Sequence, residues 1–179
     1  MAHTKHFLTY FSRHGVPTLS RNEEAIRTII LDFKKGEVYA QHYVRHLVVE
    51  YLRNNYTEDE LAEIYFTPVP ASTMDRSCDR WCIFSHYVCN DLEMKNGYDI
   101  WCNDEDVTPT HITRMENGDD GVRPKNYFFR SYDDNVVLEG KKAIIFDDIK
   151  STGNTIEQFK AALEEEGMEV IDIITLALA

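Results

Sequence analysis

The last forty or so residues restrict the fold more than any other part of the chain. Ala143-Ile144-Ile145-Phe146 is a continuous apolar run of the kind that fills a strand buried on both faces. Over residues 155–166, Ile156, Phe159, Ala162 and Leu163 recur at helical spacing; Gly167 can cap that helix, and residues 170–178 are apolar again. A strand, a helix and a strand in close succession form a βαβ unit, so the two strands run parallel and the helix crosses one face of their sheet. The class this predicts is α/β, a parallel β-sheet flanked by helices in a Rossmann-like three-layer arrangement. Ligands are expected at the carboxyl ends of its strands.

The remaining segments agree with one domain spanning residues 1–179. Ser20 and Glu23 form a capping-box pair ahead of Ala25, Ile26, Ile29, Ile30 and Phe33, which predicts a helix ending at Gly36. Ala40, Tyr43, Val44, Leu47, Val48, Tyr51 and Leu52 give a second helix an unbroken apolar stripe from about residue 37 to 53. Ile64-Tyr65-Phe66 reads as a strand that runs into Thr67-Pro68-Val69-Pro70-Ala71-Ser72, where two prolines stop sheet pairing. Trp81, Phe84, Val88 and Leu92 suggest a third helix and residues 98–101 a further strand. Residues 103–125 are polar, hold Pro109, Gly118, Gly121 and Pro124, and read as a long mobile loop, either an active-site lid or a disordered stretch. Residues 1–20 are read as a small hood, with Tyr10, Phe11 and His14 able to stack on a base or simply to pack.

A formal net charge of -12 sets the electrostatic problem. Such a surface repels polyphosphate backbones and anionic lipid, so direct nucleic-acid binding is disfavoured, and any anionic ligand must be held by local devices. No run approaches the roughly 18 apolar residues of a membrane span, and the amino terminus lacks a secretory h-region, so a cytoplasmic location without membrane contact is expected. Cys78, Cys82, Cys89 and Cys102 include no C-x-x-C pair. A zinc site built from the first three and His86 can be drawn, but its spacing fits no common metal pattern.

The local device lies where the first strand of the βαβ unit meets its helix: Asp147-Asp148-Ile149-Lys150-Ser151-Thr152-Gly153-Asn154-Thr155. Two acids stand where a buried strand emerges, and small hydroxyl residues with a glycine open directly into a helix amino terminus. Unpaired N–H groups and the positive end of the helix dipole can cradle a phosphate there, while the aspartates suit sugar hydroxyls. No Walker A or dinucleotide glycine pattern occurs.

The nonapeptide, with the four apolar residues before it, resembles the signature of the type I phosphoribosyltransferases. Ile29-Ile30-Leu31-Asp32-Phe33-Lys34-Lys35-Gly36, then Pro68-Val69-Pro70 with Arg76 and Arg80 beyond it, and Glu166-Gly167-Met168-Glu169-Val170 leading to Leu176-Ala177, are similar to the branch of that family around the competence protein ComF. The order agrees over about residues 25–178, with weaker echoes at Arg114, Arg123, Asn126 and Phe129. ComF-like proteins usually carry an amino-terminal cysteine zinc ribbon and an Arg-Gly-Phe-Asn-Gln run. Here no cysteine precedes Cys78, and Cys78-Asp79-Arg80-Trp81-Cys82 occupies the place of that run.

The resemblance implies a phosphoribosyltransferase-like fold and 5-phosphoribosyl 1-diphosphate as ligand, with magnesium carried by the diphosphate. It assigns the ribose hydroxyls to Asp147 and Asp148, and the 5-phosphate to Ser151, Thr152, Gly153, Asn154 and Thr155, with Lys150 beside them. The diphosphate falls to Val69, Pro70, Ala71 and Ser72, helped by Arg76; Arg114, Arg123 and Lys125 are the anion-binding candidates of the long loop. The expected activity is phosphoribosyl transfer in nucleotide metabolism to an acceptor the sequence does not name. The alternative is a non-catalytic regulatory module or ComF-like partner protein that keeps the same phosphate site. Small proteins of this architecture often pair, and exposed Tyr and Trp would suit a homodimer.

Overall fold

The computed structural model describes residues 2–10, 18–103, 128–130 and 136–179. The long polar stretch read as a mobile loop, and with it Arg114, Arg123 and Lys125, lies outside the described residues, as do Phe11 and His14.

The first helix, α1 (Arg21–Lys34), starts where the sequence places it. Ser20 Oγ accepts from the Glu23 N–H, and the Glu23 carboxylate accepts from the Ser20 N–H. Helix α2 (Val38–Asn55) follows, burying Ala40, Val44, Val48, Val49 and Leu52. The polar segment between α2 and the next strand contains α3 (Glu58–Ala62), started by a second capping box on Thr57 and Glu60. Strand β2 (Ile64–Pro68) then leads through the proline loop into α4 (Met74–Ser77), a π-helical turn (Cys78–Cys82) and α5 (Ile83–Leu92). Short pieces follow: β3 (Lys95–Asn96), a 3-10 turn (Tyr98–Ile100), β4 (Trp101–Asn103) and β5 (Phe128–Arg130). The closing unit is β6 (Lys142–Lys150), α6 (Asn154–Glu165) and β7 (Glu169–Leu178).

The main sheet has five strands, all parallel, in the order β1-β7-β6-β2-β3, where β1 is His3–Thr9. The α/β class and the βαβ unit are thus present as expected. One assignment changes. Residues 3–9, read as hood, form the edge strand of the sheet, paired along β7 from His3 with Asp172 to Thr9 with Leu178. The sequence HTKHFLT has no apolar run because an edge strand needs less burial than a central one.

Helices α1, α2 and α5 cover one face of the sheet, and α6 with the antiparallel β4–β5 pair covers the other. Alternation along β6 sends Ile144 and Phe146 to the first face and Ala143 and Ile145 to the second. Phe146 is the hub of an aromatic cluster: its ring lies 5.1 Å from Phe84, 5.6 Å from Phe66, 5.7 Å from Trp81 and 6.1 Å from Phe33. Both tryptophans are buried, so neither supplies the exposed interface expected of them. Gly36, at φ +79°, ties α1 to the π-helical turn so closely that a Cβ there would lie 2.5 Å from the Asp79 carbonyl oxygen. No helix among the described residues is long and apolar enough to cross a membrane.

Removing the hub should loosen this face as a whole. Phe146→Ala is expected to cost about 3–5 kcal/mol, a drop of about 10 °C in Tm for a chain of this length, measured by thermal unfolding. A loss no larger than that of a surface substitution would contradict the packing described.

Candidate phosphosugar site

Strand β6 runs four residues further than the apolar run suggests, so that Asp147 and Asp148 sit inside the strand rather than in the loop after it. The two acids therefore meet different surroundings. Asp148 follows Phe146 onto the face of α1 and is buried. Arg80 Nη1 donates to its Oδ2 at 2.5 Å, and Lys34 Nζ stands 3.4 Å from its Oδ1. A carboxylate taken out of water needs such partners, because an unpaired buried charge is far more costly than a paired one.

Arg80 is itself held on several sides. Its Nε donates to the Lys34 carbonyl oxygen at 3.4 Å, and its guanidinium lies 5.3 Å from the Trp81 ring centre. The π-helical turn that carries it is tied to α2 through Gln41 Nε2, which donates to the carbonyl oxygens of Asp79 and Arg80. Such turns expose backbone carbonyls and re-aim a side chain, and this one delivers Arg80 into the sheet end. Lys34 and Arg80 had no assigned role at Asp148 on sequence grounds. Their neighbours Phe33 and Trp81, which pack on Phe146, were the legible part of the arrangement.

Asp147 turns the other way and is only partly covered. Its Oδ1 accepts from the Asp148 N–H at 2.8 Å, which is the one hydrogen bond to its side chain among the described residues. Burial, and then the neighbouring Asp148 charge, lift its carboxyl well above the ordinary carboxylate range, to about 7, against the opposing pull of Lys34 and Arg80.

Beyond Lys150 the chain turns into the amino terminus of α6. Gly153, at φ +79°, precedes the first residue of α6, and no side chain caps that helix. Among the described residues no acceptor takes the N–H groups of Ser151, Thr152, Gly153 or Thr155, and Asn154 N–H reaches only Thr152 Oγ1 at 3.5 Å. Ser151 and Thr152 are exposed, Asn154 and Thr155 half-buried. Lys34 and Arg80 set two cations against Asp147 and Asp148, and the Lys150 side chain lies beside Gly153, a local balance unlike the -12 of the chain.

The proline loop leaves the sheet beside this turn: β2 pairs with β6 up to Pro68 opposite Phe146, and Val69 N–H donates to the Phe146 carbonyl at 2.8 Å. Two of its backbone donors are already engaged. The Val69 N–H is used in that bond, Pro70 has none, and Ala71 N–H donates to Ser77 Oγ at 3.4 Å, leaving Ser72 as the polar residue of the four. Arg76 is exposed and donates to Ser72 Oγ at 3.3 Å; it makes no contact with the acidic pair. No group of three or more His, Cys, Asp or Glu among the described residues is placed to hold a metal, and Cys89 is buried in α5.

The raised Asp147 carboxyl makes stability depend on pH in a definite direction. The folded chain holds this proton more tightly than the unfolded one, so its contribution is complete below about pH 4 and is lost as pH rises through about 7. Asp147→Asn should remove that loss: its Tm at pH 8 should exceed the parent's by a few degrees and the two should converge near pH 4, measured by thermal unfolding across that range. A variant with the parent's pH dependence would show that Asp147 is an ordinary exposed carboxylate.

Comparison with known proteins bears on the same segment. Residues 104–179 match the family model of the phosphoribosyl transferase domain. A stretch of 42 residues is 45% identical to an HGPRTase-like protein of Halorhabdus utahensis, covering 24% of this chain and 22% of that protein. The match thus spans about a fifth of that relative's length. The fold is also similar to that of a hypoxanthine phosphoribosyltransferase from Staphylococcus aureus, with 13% identity and a TM-score of 0.37 over 83% of this chain and 62% of the other. The carboxyl-terminal segment that holds the acidic pair, the cradle and α6 is thus a match to the phosphoribosyl transferase domain.

Proposed function

We propose that the protein binds 5-phosphoribosyl 1-diphosphate at the carboxyl ends of β6 and β2 and transfers its phosphoribosyl group to an acceptor. The observation that carries this reading is the row of N–H groups over Ser151, Thr152, Gly153 and Thr155, open at the start of α6 and flanked by the half-buried Asp147 carboxyl, which has a single hydrogen bond among the described residues. A phosphate satisfies such donors without any net positive charge on the chain. Asp147 is the acid free to accept from ribose hydroxyls. Asp148, engaged by Arg80 and Lys34, acts through them by fixing the end of β6.

In the transfer, the bond from C1 to the diphosphate oxygen breaks, a bond from C1 to the acceptor forms, and the acceptor gives up its proton. Positive charge builds on the ring between these events, and fixed carboxylates nearby favour it. A magnesium ion arriving with the diphosphate would neutralise the departing group, a role that fits a chain whose second aspartate is already committed to cations. Lys34 lies in a segment similar to ComF-like proteins, which is what supports an analogy with that branch.

A second reading, a phosphoribosyl-binding module without catalysis, draws on Cys78-Asp79-Arg80-Trp81-Cys82: here that segment is a π-helical turn serving Asp148. Calorimetric titration with 5-phosphoribosyl 1-diphosphate and magnesium should give a Kd in the micromolar range, and Asp147→Asn should weaken it at least about 10-fold, the loss of hydrogen bonds to a charged group. Equal binding by the variant would end the assignment. Diphosphate release across a panel of purines, pyrimidines and small aromatic acids then separates the enzyme from the module.

A further inference from the structure

Beside Asp147 stand two residues outside the signature turn. His6 on β1 is paired with Thr175 on β7, and Thr175 is paired with Asp147 on β6. Partners across parallel strands share a face, and neighbouring strands lie about 4.8 Å apart, so the three side chains form one row across the sheet. Thr175 is fully buried, and its hydroxyl shares a hydrogen bond with His6 Nδ1. A hydroxyl donates one bond and accepts others, so Thr175 can engage the imidazole and the Asp147 carboxyl together. Asp147 has the room for it, since its one hydrogen bond among the described residues occupies Oδ1 and leaves Oδ2 open.

The charges around the row are those of the site itself. His6 is shifted toward its neutral form by burial first, then by Lys150 of β6 and Lys5 of its own strand. Asp147 feels Asp148, Lys34 and Arg80. A neutral imidazole has one donor and one acceptor nitrogen, and a bond through Nδ1 fixes which way the Thr175 hydroxyl turns.

We propose that His6 is a positioning residue of the phosphosugar site, orienting the Asp147 carboxyl through the Thr175 hydroxyl; this rests on the reading of the site given above. The amino-terminal strand then does more than close the sheet edge. It supplies the third member of a row of side chains across the sheet, in which the His6–Thr175 bond is present and the link from Thr175 to Asp147 is the step inferred, so the site draws on residues more than a hundred positions apart in the chain.

The test follows the Asp147 carboxyl carbon by NMR titration in the full chain, alongside calorimetric binding of 5-phosphoribosyl 1-diphosphate with magnesium. His6→Leu and Thr175→Val should each raise the Asp147 midpoint by about half a pH unit or more, because a donor to the charged form is lost or turned away. Each should weaken binding about 5-fold, and the double variant should do no worse than either single one. His6→Asn, whose amide falls where Nδ1 lies, and Thr175→Ser should behave as the parent; His6→Gln, which mimics the other nitrogen, should behave as His6→Leu. An Asp147 midpoint unmoved in His6→Leu, or Asn and Gln acting alike, overturns the proposal, and the histidine series decides it even if Thr175→Val does not fold. If midpoints move as expected while the parent binds no 5-phosphoribosyl 1-diphosphate, the link from His6 to Asp147 stands and the functional reading falls. Binding by the parent with midpoints that stay put gives the reverse.

Discussion

One buried carboxylate organises the working end of this protein. Asp148 cannot stay in the interior without opposite charge, and the partners it has, Arg80 and Lys34, come from a helix turn and a helix end far away in the chain. What brings them together is apolar. Phe33 precedes Lys34, Trp81 follows Arg80, Phe146 lies two residues before Asp148, and these three rings pack on one another. Burial of the rings supplies the free energy, and the ion pairs fix the geometry at the edge of the cluster, where the strand ends and the ligand turn begins.

This arrangement makes two adjacent aspartates unlike each other. Asp148 is clamped by cations on the helix-covered face. Asp147, with a single backbone donor and the neighbouring charge beside it, retains a proton to near neutral pH. Two acids in different environments can take different tasks, one holding the scaffold and one meeting a sugar. The same cations answer the problem set by the net charge of -12: an anion approaching from solvent is repelled by the surface as a whole, yet finds Lys150, Lys34, Arg80 and a row of open N–H groups at close range.

What could be read from the sequence were the features whose cause is local. The βαβ unit, the capping box at Ser20 and the stripe of α2 are each set by residues within a few turns of one another, and each is present. The Thr57–Glu60 box carried the same signal as Ser20–Glu23 within a stretch too polar to suggest a helix. The turn from Asp147 to Thr155 was legible as a strand end opening into a helix amino terminus because that geometry needs fixed spacing within a few residues. Strand β1 was not, since it is held by pairing with β7 at the other end of the chain and by Phe7 packing on Tyr51 of α2, and its composition resembles a polar loop. For the same reason the partners of Asp148 escaped notice: Arg76 and Arg80 look alike in sequence, and it is the π-helical turn that sends Arg80 inward while Arg76 stays on the surface with Ser72.

The most direct measurement is a double-mutant cycle on stability, comparing Arg80→Gln, Asp148→Asn and the two combined by denaturant unfolding. If Asp148 is held as described, each single change leaves a buried group without its partner and the double variant recovers part of the loss, with a coupling of about 2 kcal/mol. Additive losses would mean that the charges lie side by side without depending on each other, and the organising role given to Asp148 would be wrong.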